Sequence, residues 1–167
     1  ADCGMILRGL LALLTPFAGP ALAEGFLLEL PIDCDLGQTC YIQQYVDHDP
    51  SETAQDYRCS GLSYDGHKGT DFALPHLAMM KRGVPVLAAA PGVVIGLRDG
   101  MADQVYSQTN AKEVKGRECG NGVVLRHADG WETQYCHLKR GSLAIAKGDR
   151  VAAGTPLGEV GMSGRAA

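Results

Sequence analysis

A mainly β protein with little helix, an antiparallel sheet or partly open barrel with one face left for a groove, is predicted for residues 66 to 160. Three observations predict it. The 22 Gly and 8 Pro in 167 residues indicate many tight turns. Short runs of β type follow one another at close intervals, each closed by a glycine or proline. Ala128-Asp129-Gly130 lies between two alternating runs, which is a hairpin signal.

The elements follow in chain order. Ala1 to Gly4 precede the first methionine. Met5 to Ala23 read as a signal peptide: Arg8 supplies the cation, Leu10 to Leu14 and Phe17 the apolar run, and Ala21-Leu22-Ala23 a small-x-small cleavage site. A buried helix is the other reading, the run being too short to span a bilayer; on its flanks an exported protein, periplasmic or extracellular and without a transmembrane segment after cleavage, is expected. Residues 24 to 62 look irregular, with Pro31, Gly37, Asp47 to Pro50 and Gly61 interrupting pieces such as Tyr41 to Val46. They read as an N-terminal extension stapled by a disulfide, ahead of a main domain over residues 63 to 167.

In that domain strands are expected at Gly69 to Leu74, Val84 to Ala89, Gly92 to Leu97, Gly122 to His127, Glu132 to Leu138, Leu143 to Ala146, Arg150 to Ala152 and Pro156 to Val160. Pro75 to Arg82 has room for a turn or two of helix. The polar stretch from Arg98 to Glu118 lacks periodicity, and a loop of that length is either functional or disordered; as a functional loop it would wall the groove.

Charge and cysteines narrow the classes. Fifteen basic and 19 acidic residues, mixed along the chain, give a net charge of −4. No basic surface is concentrated enough to bind nucleic acid. Cys34, Cys40, Cys59, Cys119 and Cys136 remain after the expected cleavage. An oxidising compartment favours pairing among them, with Cys34/Cys40 and the hairpin-bracketing Cys119/Cys136 as first choices and an odd thiol left over. A structural zinc site on these cysteines would want a closely spaced pair, which is absent.

Two constellations carry polar chemistry. His67-Lys68-Gly69-Thr70-Asp71 sets an imidazole and a carboxylate four apart with a glycine between. Both are zinc donors, and Gly69 lets the backbone bend so that they converge; a surface pair or turn fits the same spacing. In Tyr135-Cys136-His137-Leu138, strand alternation puts Tyr135 and His137 on one face and Cys136 on the other. His137 then faces the groove if Tyr135 does, and an ordinary half-exposed strand histidine fits as well. His127, beside the turn at Asp129, reads as structural, and His48 and His76 as exposed loop residues.

Taken in order, Tyr64-Asp65-Gly66-His67-Lys68-Gly69-Thr70-Asp71-Phe72-Ala73, the Ala-Ala-Pro-Gly-Val-Val turn within Val86 to Val94, Gly120-Asn121-Gly122-Val123-Val124 to His127, Thr133 to Leu138, Lys147-Gly148-Asp149-Arg150-Val151 to Gly154, and Leu157-Gly158 to Gly164 resemble the lysostaphin-type zinc peptidases. The resemblance covers roughly residues 64 to 164. It implies a groove-bearing β-sheet fold of the duplicated hybrid motif type, Zn2+ as cofactor, His67 and Asp71 as zinc ligands, His137 as catalytic histidine, and peptidoglycan stem peptides or cross-bridges as substrate. It also implies a third ligand from a His-x-His segment beyond Ala167, so that residues 1 to 167 are expected to be a truncated and by themselves inactive piece. A family member without catalysis, binding peptidoglycan or activating a partner hydrolase, is the alternative. A biotinyl or lipoyl carrier, suggested by Lys147 to Gly158, lacks the modifiable lysine in a hairpin tip.

Overall fold

The computed structural model describes residues 26 to 166; the expected signal peptide at Met5 to Ala23 lies outside them. Within those residues the strands β1 (Tyr41–Gln44), β2 (Asp71–Ala73), β3 (Pro85–Leu87), β4 (Gly92–Arg98), β5 (Asn121–Arg126), β6 (Glu132–Leu138), β7 (Arg150–Val151) and β8 (Pro156–Glu159) are joined by two short helices, α1 (Leu77–Arg82) and α2 (Ala111–Val114). A four-stranded antiparallel sheet runs β6-β5-β4-β7, and two ribbons, β3-β8 and β1-β2, complete the architecture. The sheets do not close into a barrel.

Apolar residues of β4, β5 and β6 build the main core. Val94, Val123, Leu125, Tyr135 and Leu138 pack there with Ala88 and Leu157. The β5–β6 hairpin turns at residues 128–130 in one turn of 3-10 helix. A second core lies under β2, where Ile32 and Cys40 meet Val84, flanked by Phe72, Leu74 and Met79. Disulfides join Cys34 to Cys40 and Cys119 to Cys136, and Cys59 is free and exposed.

The structure departs from the sequence expectations in four places. The stretch from 24 to 62 contains a strand, β1, paired antiparallel with β2. Its partner is about thirty residues downstream, and local texture does not register so distant a pairing. Leu143 and Ile145 do pack on the main core. However, Ala144 N–H to Leu157 O, at 3.1 Å, is the backbone bond this stretch shares with β8, so it is extended without becoming a ladder. The 98 to 118 stretch folds around α2 and is pinned at its start by Asn121, which exchanges two hydrogen bonds with the Met101 backbone. Asp103 accepts from Arg140 N and Met162 N.

The fourth departure concerns faces. Asn121 pairs with Leu138 but Val123 pairs with Tyr135, so β6 carries one extra residue opposite Gly122. This bulge breaks the alternation that would put Tyr135 and His137 on one face. Tyr135 and Leu138 both enter the core, where the Tyr135 hydroxyl accepts from Ala89 N, while Cys136 and His137 lie outside the core cluster.

Leu125 is fully buried at the centre of the sheet, whereas Leu97 is 41% exposed. Leu125→Ala is expected to cost about 2–5 kcal/mol in denaturant unfolding, and Leu97→Ala less than about 0.5 kcal/mol.

Candidate metal centre

His67 lies just before β2 and Asp71 opens it, so the short Lys68-Gly69-Thr70 link folds their side chains together. His67 Nε2 is 3.3 Å from Asp71 Oδ1. The His67 ring is only 8% exposed and the Asp71 side chain 43%, so the pair opens to solvent on the carboxylate side. The other ring nitrogen, Nδ1, lies 2.7 Å from the Tyr45 carbonyl oxygen. A carbonyl only accepts, so Nδ1 carries the proton and Nε2 of the neutral ring presents a lone pair.

That assignment tests whether the two residues suit a metal. A lone pair and a carboxylate oxygen facing each other at 3.3 Å repel unless a cation or a second proton lies between them. Imidazole nitrogen and carboxylate oxygen are ordinary zinc donors, and a ring N–H given to a backbone carbonyl is the usual outer support of such a histidine. The donor chemistry therefore fits zinc with two ligands in place. Among the described residues no third His, Cys, Asp or Glu joins them. Across the ribbon Gln44 pairs with Asp71, and its Oε1 is buried without a hydrogen-bond partner among the described residues.

The pair sits in a frame of aromatic and acidic groups. The Tyr64 ring stacks on the His67 imidazole at 4.3 Å between centroids. Burial pushes the Tyr64 phenol up from its ordinary pKa, Asp71 adds to the rise, and the Arg165 guanidinium offsets it. A pocket of about 390 Å³ beside His67 is lined by Asp47, Asp49, Asp65 and Lys68 among others. Backbone amides of Asp49, Gly66 and Gln55 hold the Asp47 carboxyl below the usual carboxylate range. Hydrogen bonds from Thr53 and Ser51 do the same for Asp49. The buried Asp56 is held low by the Ser60 hydroxyl and by the amides of Ser60, Arg58 and Leu62.

His137 stands on the bulge at the end of β6 with φ of 60°, a left-handed conformation that costs a non-glycine residue about 1–2 kcal/mol. Backbone bonds from His137 N to Cys119 O (2.7 Å) and from Gly161 N to His137 O (3.0 Å), together with the Cys119–Cys136 disulfide, hold it there. Its Nδ1–H donates to Ser163 O at 2.8 Å, which leaves Nε2 free to take or give a proton. No hydrogen bond or ion pair among the described residues joins His137 to His67 or Asp71. In the segment from Ser163 to Arg165, Ser163 O receives His137, and two residues on the Arg165 guanidinium lies over the Tyr106 ring, 5.5 Å from its centroid. A second pocket, about 480 Å³, lies beside this segment between the 98 to 118 loop and Gly164, with Arg98 and Arg117 in its lining.

The remaining histidines serve otherwise. His127 is buried, donating from Nδ1 to Pro91 O and bonding the Thr133 hydroxyl through Nε2. His48 and His76 are exposed. Sequence reasoning missed Tyr45 and Asp47, whose contacts with His67 run through the backbone and leave no mark on residue type beyond the carboxylate of Asp47.

The sequence model of Peptidase family M23 matches residues 65–167. Among curated proteins, the peptidoglycan DD-endopeptidase ShyA of Vibrio cholerae is 32% identical over 99 residues, covering 59% of this chain and 17% of that protein. The DD-carboxypeptidase/endopeptidase Mpg of Neisseria meningitidis is 36% identical over 101 residues, with the same coverage of 59% and 17%. The match thus spans about a sixth of the length of these relatives. A putative peptidase M23 of Pseudomonas aeruginosa aligns structurally with a TM-score of 0.46 and 24% identity over 89% of this chain and 44% of that one.

Asp47 and Asp49, which line the His67 pocket, and the buried Asp56 make the stability depend on pH. Their folded pKa values lie below the unfolded value of about 3.9, so the stability they contribute is complete above that pH. It is lost as pH falls through the folded values. Thermal melts should therefore show a steep loss of stability below about pH 4, and Asp56→Asn should flatten that slope.

Proposed function

The chain belongs to peptidase family M23, and we propose that it is part of a zinc-dependent endopeptidase that hydrolyses peptide bonds of bacterial peptidoglycan in the periplasm or outside the cell. The observation that carries this reading is His67 Nε2 turned toward Asp71 Oδ1 at 3.3 Å with Nδ1–H given to Tyr45 O, an arrangement that a metal cation between the two would satisfy. The matched relatives include enzymes named as acting on peptidoglycan. Two disulfides suit an oxidising compartment, and among the described residues no helix is long and apolar enough to cross a membrane.

In the proposed enzyme His67 and Asp71 hold the zinc, and the third protein ligand is one of the two histidines of the His-x-His segment that the family resemblance implies. When bound, zinc supplies Lewis acidity, which polarises a carbonyl and acidifies water. The chain's own residues do the rest. Tyr45 O keeps the proton on Nδ1 of His67, so that Nε2 remains a donor of electrons. Ser163 O holds the His137 ring by Nδ1–H, so that proton transfer occurs at Nε2. As an imidazole, Nε2 takes a proton from water; as an imidazolium, it donates to the oxyanion or to the leaving amine. The left-handed backbone at His137 is the kind of local strain that persists where the surrounding structure fixes a side chain for a task.

The test is metal content and release of soluble peptides from purified cell-wall sacculi by the full-length protein. His67→Ala and Asp71→Ala should lose both zinc and hydrolysis. His137→Ala should keep its zinc and lose hydrolysis by about 100-fold or more. A full-length protein that takes up no zinc, or a His137→Ala variant of undiminished rate, contradicts the proposal.

A further inference from the structure

We infer that Asp47, with the segment 45 to 47 it anchors, is a positioning residue for the metal centre, although this segment lies ahead of the residues 65–167 that match the family. The inference rests on the reading of His67 as a metal ligand.

The segment grips His67 from three sides. Tyr45 O receives the ring Nδ1–H at 2.7 Å. Asp47 N donates to the backbone carbonyl of His67 at 2.8 Å. The Asp47 Oδ2 accepts from Gly66 N at 2.9 Å, one residue before the histidine. Each end of the ligand, ring and backbone, is therefore tied to a stretch three residues long.

That stretch is itself fixed. Asp47 Oδ1 accepts from Asp49 N and Gln55 N, at 3.0 and 3.1 Å. Tyr45 N donates to Leu62 O at 2.9 Å, and the Ser63 hydroxyl donates to Tyr45 O at 2.8 Å, on the same carbonyl that His67 uses. On the other side Gln44 pairs with Asp71, so one strand end addresses both donors. Among the described residues, Asp47 is the side chain of the segment that hydrogen bonds to the loop carrying His67. Without its carboxylate, Gly66 N loses its acceptor, and the loop carrying His67 is held less firmly against the Tyr45 carbonyl. The ring then samples both tautomers, and in one of them Nε2 carries a proton and cannot bind metal.

The experiment uses full-length protein, wild type and Asp47→Ala, with Glu52→Gln as an exposed control in the same loop and Asp47→Asn and Ser63→Ala as milder variants should Asp47→Ala unfold. Zinc affinity is measured by competition with a chromogenic chelator, and the His67 tautomer by nitrogen-15 NMR of the metal-free protein. Asp47→Ala is expected to weaken zinc binding about 10–100-fold and to shift the His67 ring from a pure Nδ1–H form to a mixture. Ser63→Ala should move both in the same direction by less, and Glu52→Gln should move neither. Unchanged zinc affinity or an unchanged tautomer in Asp47→Ala overturns the inference. If the wild type binds no zinc, the metal reading fails, and the tautomer alone decides whether Asp47 positions His67.

Discussion

The candidate centre depends on one hydrogen bond, from Nδ1 of His67 to the carbonyl of Tyr45. It places a proton on Nδ1, so that the neutral ring turns its Nε2 lone pair toward the carboxylate and the two become electron donors aimed at one point. With the opposite tautomer the same two side chains would hydrogen bond each other and need nothing between them. Tyr45 follows directly on β1, and its carbonyl is kept in place by the Ser63 hydroxyl and by the bond from Tyr45 N to Leu62 O.

The other half of the site depends on backbone rather than side-chain constraint. The bulge in β6 releases His137 from strand alternation, and its left-handed conformation is maintained by backbone bonds to Cys119 and Gly161 and by the neighbouring disulfide. Gly120 and Gly164, both at positive φ, let residues 118 to 120 and 163 to 165 approach backbone to backbone, where a Cβ on either would collide. That close approach places Ser163 O against the His137 ring.

Much of the scaffold was legible in the residues. The strands around Val94, Val123 and Tyr135 have alternating apolar positions, and Ala128-Asp129-Gly130 marks their hairpin, so the central sheet follows from pattern and turn chemistry. The pairing of His67 with Asp71 follows from their spacing around Gly69. What escaped was of three kinds. The β1–β2 pairing is non-local and its sequence, Tyr-Ile-Gln-Gln, has little β pattern. The bulge at Cys136-His137 is a register shift, which a period-two reading cannot register because it assumes the period is unbroken. Tyr45 was invisible for a simpler reason: any residue type offers the same carbonyl.

Anomalous diffraction at the zinc edge, from crystals of the full-length protein, is the most direct test of the central claim. The account predicts a single strong peak bonded to both His67 Nε2 and Asp71 Oδ1, with Nδ1 still on the Tyr45 carbonyl. A peak elsewhere, or a metal-free pair in which a protonated Nε2 donates to Asp71 in the presence of excess zinc, would contradict it.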